Sequence, residues 1–304
     1  MSKQSDILKH IYERARAADA TVVIVDAGDE RVSQAATLIE KEKLARLILI
    51  DDTTYASLSE AEQKALADAA GDSRDLIASN TKYLAAAYVK VGKADGYVAG
   101  HASPTSETIR SALKIIGTKD SYASSFFIMI HKDIPLFFAD CAFNPSPSPQ
   151  QLAQIAIDTA RQAQALDVEP RVAFLSFSTD GSAKHEMVDN VREAMGHAQK
   201  LAPDIVIAEH EMQFDAAFDA GVATQKGVAG PVAGNANVFI FPDLNSGNIG
   251  YKIARVMGGA QAIGPIFQGF NAPANDLSRS CSVQDIVDVV ALTALQAGAL
   301  KKNV

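Results

Sequence analysis

Residues 171–208 read RVAFLSFSTDGSAKHEMVDNVREAMGHAQKLAPDIVIA. The stretch opens on a buried-strand run, RVAFLSF (171–177), passes through a short polar loop, forms a helical pattern over 184–200 and ends on DIVIA (204–208). Apolar runs without polar alternation belong to strands covered on both faces, and strands separated by helices of about 10–15 residues build a parallel sheet. This unit therefore predicts an α/β protein.

The alternation continues on both sides. Upstream come TVVIV (21–25), a helix over 30–45, LARLILI (44–50), helices over 57–70 and 79–90, ADGYVAG (94–100) and a helix over 106–116. SSFFIMI (124–130) and IPLFFAD (134–140) flank His131-Lys132-Asp133 and read as a hairpin. NPSPSPQQ (144–151) breaks the pattern and predicts a hinge or domain crossover before a helix over 150–165. Downstream follow a helix over 211–221, NVFIF (237–241), a helix over 247–257, QAIGPIFQ (261–268) and a closing helix over 283–300. The 304 residues suit one large or two medium domains, and 48% hydrophobic with 21% charged residues is globular rather than disordered composition.

A net charge of −8 argues against nucleic acid or an acidic membrane surface as partner. An anionic ligand would have to be held by local arginines, lysines and helix N-termini. Cys141 and Cys281 lack CxxC spacing and read as reduced, packing thiols. The amphipathic N-terminus does not look like a signal peptide, and no apolar run approaches the roughly 20 residues of a membrane span. A cytoplasmic location is expected.

Four strand-to-helix junctions are rich in Gly, Ser, Thr and Asn: GHASPTSETIR (100–110), SFSTDGSAKHE (176–186), PDLNSGNIGYK (242–252) and QGFNAPANDLSRSCSVQD (268–285). In parallel α/β sheets ligands sit at the carboxyl ends of strands, where free backbone N–H groups meet anions. No Walker loop, no GxGxxG after a first strand and no Gly-x-Ser-x-Gly elbow is present. His210 with Glu209, Glu211 and Asp215 reads as a solvated acidic face, so no metal site is expected.

Several blocks carry a family resemblance: FADCAFNPSP (138–147), LSFSTDGSAK (175–184), EMQFDAAF (211–218), PDLNSGNIGYKIA (242–254), AIGPIFQG (262–269) and NDLSRSC (275–281). Over nearly the whole chain it resembles the phosphate acetyl/butyryltransferase family, and its acetyl-specific members most. The resemblance implies an isocitrate-dehydrogenase-like two-domain α/β fold, residues 1–144 with 273–304 and residues 145–272, and an active site in the interdomain cleft. It implies reversible acetyl transfer between acetyl phosphate and coenzyme A by direct thiolate attack in a ternary complex. Catalytic roles fall to Ser278, Arg279 and Asp285, the last as base; Arg110 would hold phosphate, and Thr105, Ser178, Thr179, Asn248 and Asn275 are further candidate substrate contacts. The family implies a homodimer without an organic cofactor, often stimulated by monovalent cations.

The residue types suit that chemistry. Arginine presents a planar fork to phosphate and keeps its charge, and a serine hydroxyl can stabilise the oxyanion that attack on a carbonyl creates. Local readings stand beside these roles. Ser282-Val283-Gln284-Asp285 matches a helix capping box, and Asp276 suits a residue that fixes a turn. Two positions depart from the family pattern: Ser103-Pro104-Thr105 where His-Ser-Thr is common, and Val256 where an arginine is frequent. A non-catalytic or weakly active acyl-coenzyme A-sensing domain is the alternative function. A decarboxylating dehydrogenase would need an aspartate cluster that the sequence does not assemble.

Overall fold

The computed structural model describes residues 5–119 and 122–302. The chain divides into two compact units, Met1–Tyr122 with Ile263–Val304, and Ala123–Ala262. In the first unit the order is α1 (Asp6–Ala18), β1 (Thr21–Ile24), α2 (Glu30–Glu42), β2 (Arg46–Leu49), α3 (Thr54–Ser57), α4 (Glu60–Ala70), α5 (Thr81–Lys90), β3 (Gly96–Ala99) and α6 (Thr105–Ser111). The second unit carries β4 (Ser124–His131), β5 (Ile134–Ala139), α7 (Pro149–Ala165), β6 (Arg171–Phe174), α8 (Glu186–Leu201), β7 (Val206–Ile207), α9 (Phe214–Phe218), α10 (Ala220–Gln225), β8 (Val238–Ile240) and α11 (Leu244–Val256). β9 (Gln261–Gln268) leads back to β10 (Ala274–Asp276) and α12 (Val283–Lys302) of the first unit.

The first sheet is parallel throughout, in the order β10-β3-β1-β2. Its register pairs Ile24 with both Leu49 and Val98, and Ala99 with Asp276, so the strands end together along one edge. Val22, Val23, Ile24 and Val98 are fully buried, as the non-alternating pattern requires. α12 packs against α1, α2 and β3. By length and composition this helix could cross a membrane, but most of its surface is buried in the unit, so its apolar character belongs to a core helix.

In the second unit, strands β7-β6-β8-β5-β4 lie in that order, parallel except for the β4-β5 hairpin. Lys132 and Asp133 turn the hairpin at φ of 49° and 64°, the left-handed pair that suits the twist of a two-residue connection. The expected boundary at 144/145 therefore shifts to 122/123, because β5 is hydrogen-bonded to β8 and takes the hairpin into the second unit. The Pro-Ser segment is a helix start rather than a crossover. Ser148 caps α7 in a reciprocal box with Gln151, and Pro149 occupies the first turn. Likewise the return falls at 262/263, ahead of the expected 272/273. The helix expected over 211–221 is two short ones, since Asp219 ends α9 and caps α10.

One buried cluster ties α12 to α1. Tyr12 Oη donates to Asp288 Oδ1 at 2.6 Å, and Gln284 Nε2 donates to the same oxygen at 2.9 Å. Burial raises the Asp288 carboxyl from 3.8 to about 6 despite these donors. The folded state thus binds a proton more tightly than the unfolded chain, and stability from this group is full below 3.8 and lost as pH rises through about 6. The stability of wild type minus that of Asp288→Asn is expected to fall by up to about 3 kcal/mol between pH 4 and 7, read by urea unfolding. A pH-independent difference would contradict the assignment.

Candidate active site

Since β10, β3 and β1 are adjacent, parallel and in register, the segments that follow them meet at one edge of the first sheet. Asp276 closes β10 and is fully buried. It accepts hydrogen bonds from Thr105 Oγ1 at 2.6 Å and Thr108 Oγ1 at 2.7 Å, which dock α6 on the end of β10. Burial lifts its carboxyl to about 6, against the two threonines, the Leu277 N–H and the Lys82 charge. Lys82, nearly buried at the start of α5, stands 3.5 Å from Glu107 of α6. Asp276 thus has a structural role, but its side chain docks α6 on the end of β10 where the sequence context suggested a turn-fixing residue. The Thr105 hydroxyl donates its proton to this carboxylate.

Beyond Asp276 the chain turns sharply. Cys281 N–H donates to Ser278 O at 2.9 Å, and the Ser278 and Ser280 hydroxyls lie 3.0 Å apart. Ser278 and Arg279 are exposed, as is Arg110 on α6. No hydrogen bond to a described residue engages the Arg110 or Arg279 side chain, so two free guanidinium groups are carried by segments that Asp276 ties together. Ser282 and Asp285 form the capping box of α12: Ser282 N–H donates to Asp285 Oδ2 at 2.8 Å, and Asp285 N–H to Ser282 Oγ at 3.2 Å. Cys281 is buried, and burial raises its thiol while Arg31 opposes the shift.

Arg31 is the organising residue that sequence reading missed. Its Nε and Nη2 donate to the two oxygens of Asp29 at 3.1 and 2.7 Å, and Nη2 also to His101 O at 3.2 Å. Nη1 donates to Arg279 O and Cys281 O, each at 3.1 Å. All five of its N–H donors are spent inside the protein, and its hydrogen bond holds the Asp29 carboxyl down at about 2. The only signal lay in Asp29-Glu30-Arg31 at the start of α2, a junction after β1 without the Ser-Thr-Asn richness of the others.

The remaining candidates hold structure. Asn275 is fully buried; its Oδ1 accepts from Phe267 N–H, and its Nδ2 donates to Thr293 Oγ1 and Gln296 Oε1. Ser178 and Thr179, in the second unit, are also buried. Ser178 Oγ donates to Glu211 Oε1 at 2.8 Å, and Thr179 Oγ1 accepts from Gln213 N–H at 2.9 Å. Asn248 Nδ2 donates to Cys141 O at 2.9 Å. The acidic face around His210 is not solvated throughout. Glu211 is buried and paired with Arg192 at 2.9 Å, and although burial opposes it, Arg192, the Gly181 N–H and Ser178 together lower its carboxyl. Asp215 pairs with Lys226 and His210 with Asp180, and among the described residues no group of His, Cys, Asp and Glu forms a metal site.

The sequence profile described as Phosphate acetyl/butaryl transferase matches residues 51–294, which include every segment of this edge except the Asp26–Arg31 loop. The chain belongs to this family. Among its phosphate acetyltransferase members, that of Thermoanaerobacterium thermosaccharolyticum is 41% identical over 330 residues, covering 96% of this chain and 99% of the relative. That of Staphylococcus aureus strain MSSA476 is 38% identical over 325 residues, with the same coverage. The solved structure of EutD phosphotransacetylase from Staphylococcus aureus superposes with a TM-score of 0.87 at 37% identity, over 97% of this chain and all of that one. The two-unit α/β fold expected of this transferase family is therefore present. In this member of it, the Ser278-Arg279 turn is held from behind by Arg31 and Asp276 while its side chains face solvent.

Proposed function

We propose that this chain is a phosphate acetyltransferase, moving an acetyl group reversibly between acetyl phosphate and coenzyme A in the cytoplasm. The observation that carries the reading is the exposed Ser278-Arg279 turn, pinned through its own carbonyls by Arg31 and accompanied by the unengaged Arg110. A pinned turn presents its guanidinium without having to order it on binding, which favours preorganised electrostatic catalysis. Arg110 holds the phosphoryl group and Arg279 favours the coenzyme A thiolate. The thiol proton passes to Asp285, sulfur attacks the acetyl carbonyl, and Ser278 Oγ–H donates to the oxyanion. The intermediate collapses by breaking the C–O bond to phosphate, which leaves as the anion. Acetyl phosphate is already activated, so coenzyme A enters as a substrate and no organic cofactor or protein-bound metal is needed; a monovalent cation would act only as a stimulant.

Acetyl-CoA formation from acetyl phosphate and coenzyme A, followed by thioester absorbance, tests this directly. Tight acyl-coenzyme A binding without turnover would point to a sensor instead. Arg279→Lys is expected to lower kcat/KM at least about tenfold, about 1.4 kcal/mol of transition-state stabilisation, because a point charge replaces the fork. Wild-type kinetics in that variant would remove Arg279 from the site.

The proposed assembly is a homodimer. Ile249, Ile253 and Val256 line one face of α11 and Met257 follows at its C-terminal end, at 56, 53, 79 and 84% exposure, a spacing that leaves an apolar stripe uncovered. A second copy would bury it, and Val256, where an arginine is frequent in the family, keeps the stripe apolar. Val256→Asp is expected to convert dimer to monomer by sedimentation; an unchanged dimer would place the interface elsewhere.

A further inference from the structure

Between the ends of β1 and β3 lie polar atoms that the proposed chemistry leaves unused. His101 is 1% exposed, and neither ring nitrogen makes a hydrogen bond of normal geometry to a described residue. Asp26 Oδ2, 4.0 Å from His101 Nε2, is unsatisfied as well, and so is the buried Ser103 Oγ. The other Asp26 oxygen accepts from Thr81 Oγ1 at 3.2 Å, so the carboxylate is anchored on one side and open toward the imidazole. Buried polar atoms without partners are costly and few, and several in one place call for a role.

The main chain of the same histidine is wired to the active-site turn. Arg31 grips His101 O with one amino group and the carbonyls of Arg279 and Cys281 with the other. A shift of the His101 loop therefore passes through a rigid, planar side chain to the residues that present Ser278 and Arg279.

We propose that His101 is a positioning residue whose protonation, made against Asp26, resets the Ser278–Cys281 turn through Arg31. The inference rests on the acetyl-transfer reading above. Protonation turns two unsatisfied atoms into a charge-assisted pair, and reaching its usual length of about 2.8 Å means closing the 4.0 Å gap. It also sets a positive charge beside the Arg31 guanidinium and competes for Asp29. The groups that face the ring are Asp26 from the end of β1, with its main chain, and Asp29 and Arg31 from the start of α2. Burial lowers the imidazole from 6.5 and Arg31 adds to this, while Asp26 and Asp29 oppose it. The ring is thus neutral at neutral pH and gains its proton on the acid side, where the turn is displaced.

The test compares wild type, His101→Gln and Asp26→Asn for kcat/KM of acetyl-CoA formation between pH 5 and 8, with the His101 ring titration followed by NMR. Substrate titrations are common to all three proteins and cancel. In wild type the activity should fall at least about tenfold on the acid side beyond any fall in His101→Gln, with the midpoint of the ring titration and below 6.5. In Asp26→Asn the midpoint should move lower, because the carboxylate that favours the proton is gone. Superimposable normalised profiles in the three proteins, or a midpoint that differs from the ring titration, overturn the proposal. If His101→Gln does not fold, Asp26→Asn and the NMR midpoint decide it. No acetyl-CoA formation by wild type at any pH would overturn the acetyl-transfer reading itself, and this inference with it.

Discussion

Asp285→Asn is expected to lower kcat for acetyl-CoA formation by about 10²–10⁴ with little change in the KM for coenzyme A. In the proposed mechanism the loss follows from removing the proton acceptor while leaving the binding groups in place. A carboxylate is an intrinsically weak acceptor for a thiol proton, so the proposed mechanism needs Arg279 to favour the nascent thiolate. The same carboxylate caps α12 through the Ser282 N–H. Asparagine keeps an oxygen for that bond and gives up only the charge at the helix N-terminus, about 0.3–1 kcal/mol. Steady-state kinetics and thermal unfolding together separate the two roles. A sharp fall in Tm with near wild-type kcat in the folded fraction would make Asp285 a cap and move the base elsewhere.

Gly100→Ala is expected to damage stability and activity together. Gly100 leaves β3 at φ +98°, and a Cβ there would lie 2.1 Å from Asp276 Oδ1 and 2.7 Å from Leu277 O. The backbone strain costs about 1–3 kcal/mol, and overpacking against a fully buried carboxylate and a main-chain oxygen costs about as much again. Tm should fall by about 5–20 °C. Asp276 also docks Thr105 and Thr108, so displacing it separates α6, with Arg110, from the turn that carries Arg279. kcat/KM of the folded protein should therefore fall at least about tenfold. Gly28→Ala is the control: nothing lies within 4 Å of its Cβ position, and its stability should hold or rise by up to about 1 kcal/mol. Equal Tm values for the two variants would mean that the Gly100–Asp276 contact imposes no constraint.

The fold was legible because its strands are local and apolar. Thr21–Ile24, Arg46–Leu49, Gly96–Ala99 and Arg171–Phe174 all fall within the predicted runs. Errors gathered where pairing overrides local pattern. The NPSPSP prolines read as a crossover, yet the β4-β5 hairpin before them belongs with β8. In the site, Ser278, Arg279 and Arg110 are exposed, and no hydrogen bond to a described residue engages either guanidinium, which is compatible with the roles proposed for them. Ser178, Thr179, Asn248 and Asn275 are short polar residues in the same kind of loop, but the chain uses their hydrogen bonds on itself. A short polar side chain suits a ligand and a neighbouring backbone equally well, and its type does not distinguish them.

The sequence by itself determined the α/β class, the exclusion of phosphate-loop, dinucleotide and hydrolase-triad chemistry, and the NDLSR turn with its family. It also carried the capping box at Asp285, because reciprocal capping depends on residues three apart. Only the tertiary structure decided that Arg31, some 250 positions from the turn, would grip the Arg279 and Cys281 carbonyls. Only there does Asp276 become the dock for α6 and His101 a buried ring facing Asp26. These roles depend on the strand order β10-β3-β1, which brings the three loops to one edge. That order is set by burial of whole sheet faces, a property of the packed chain that no local spacing of residues records.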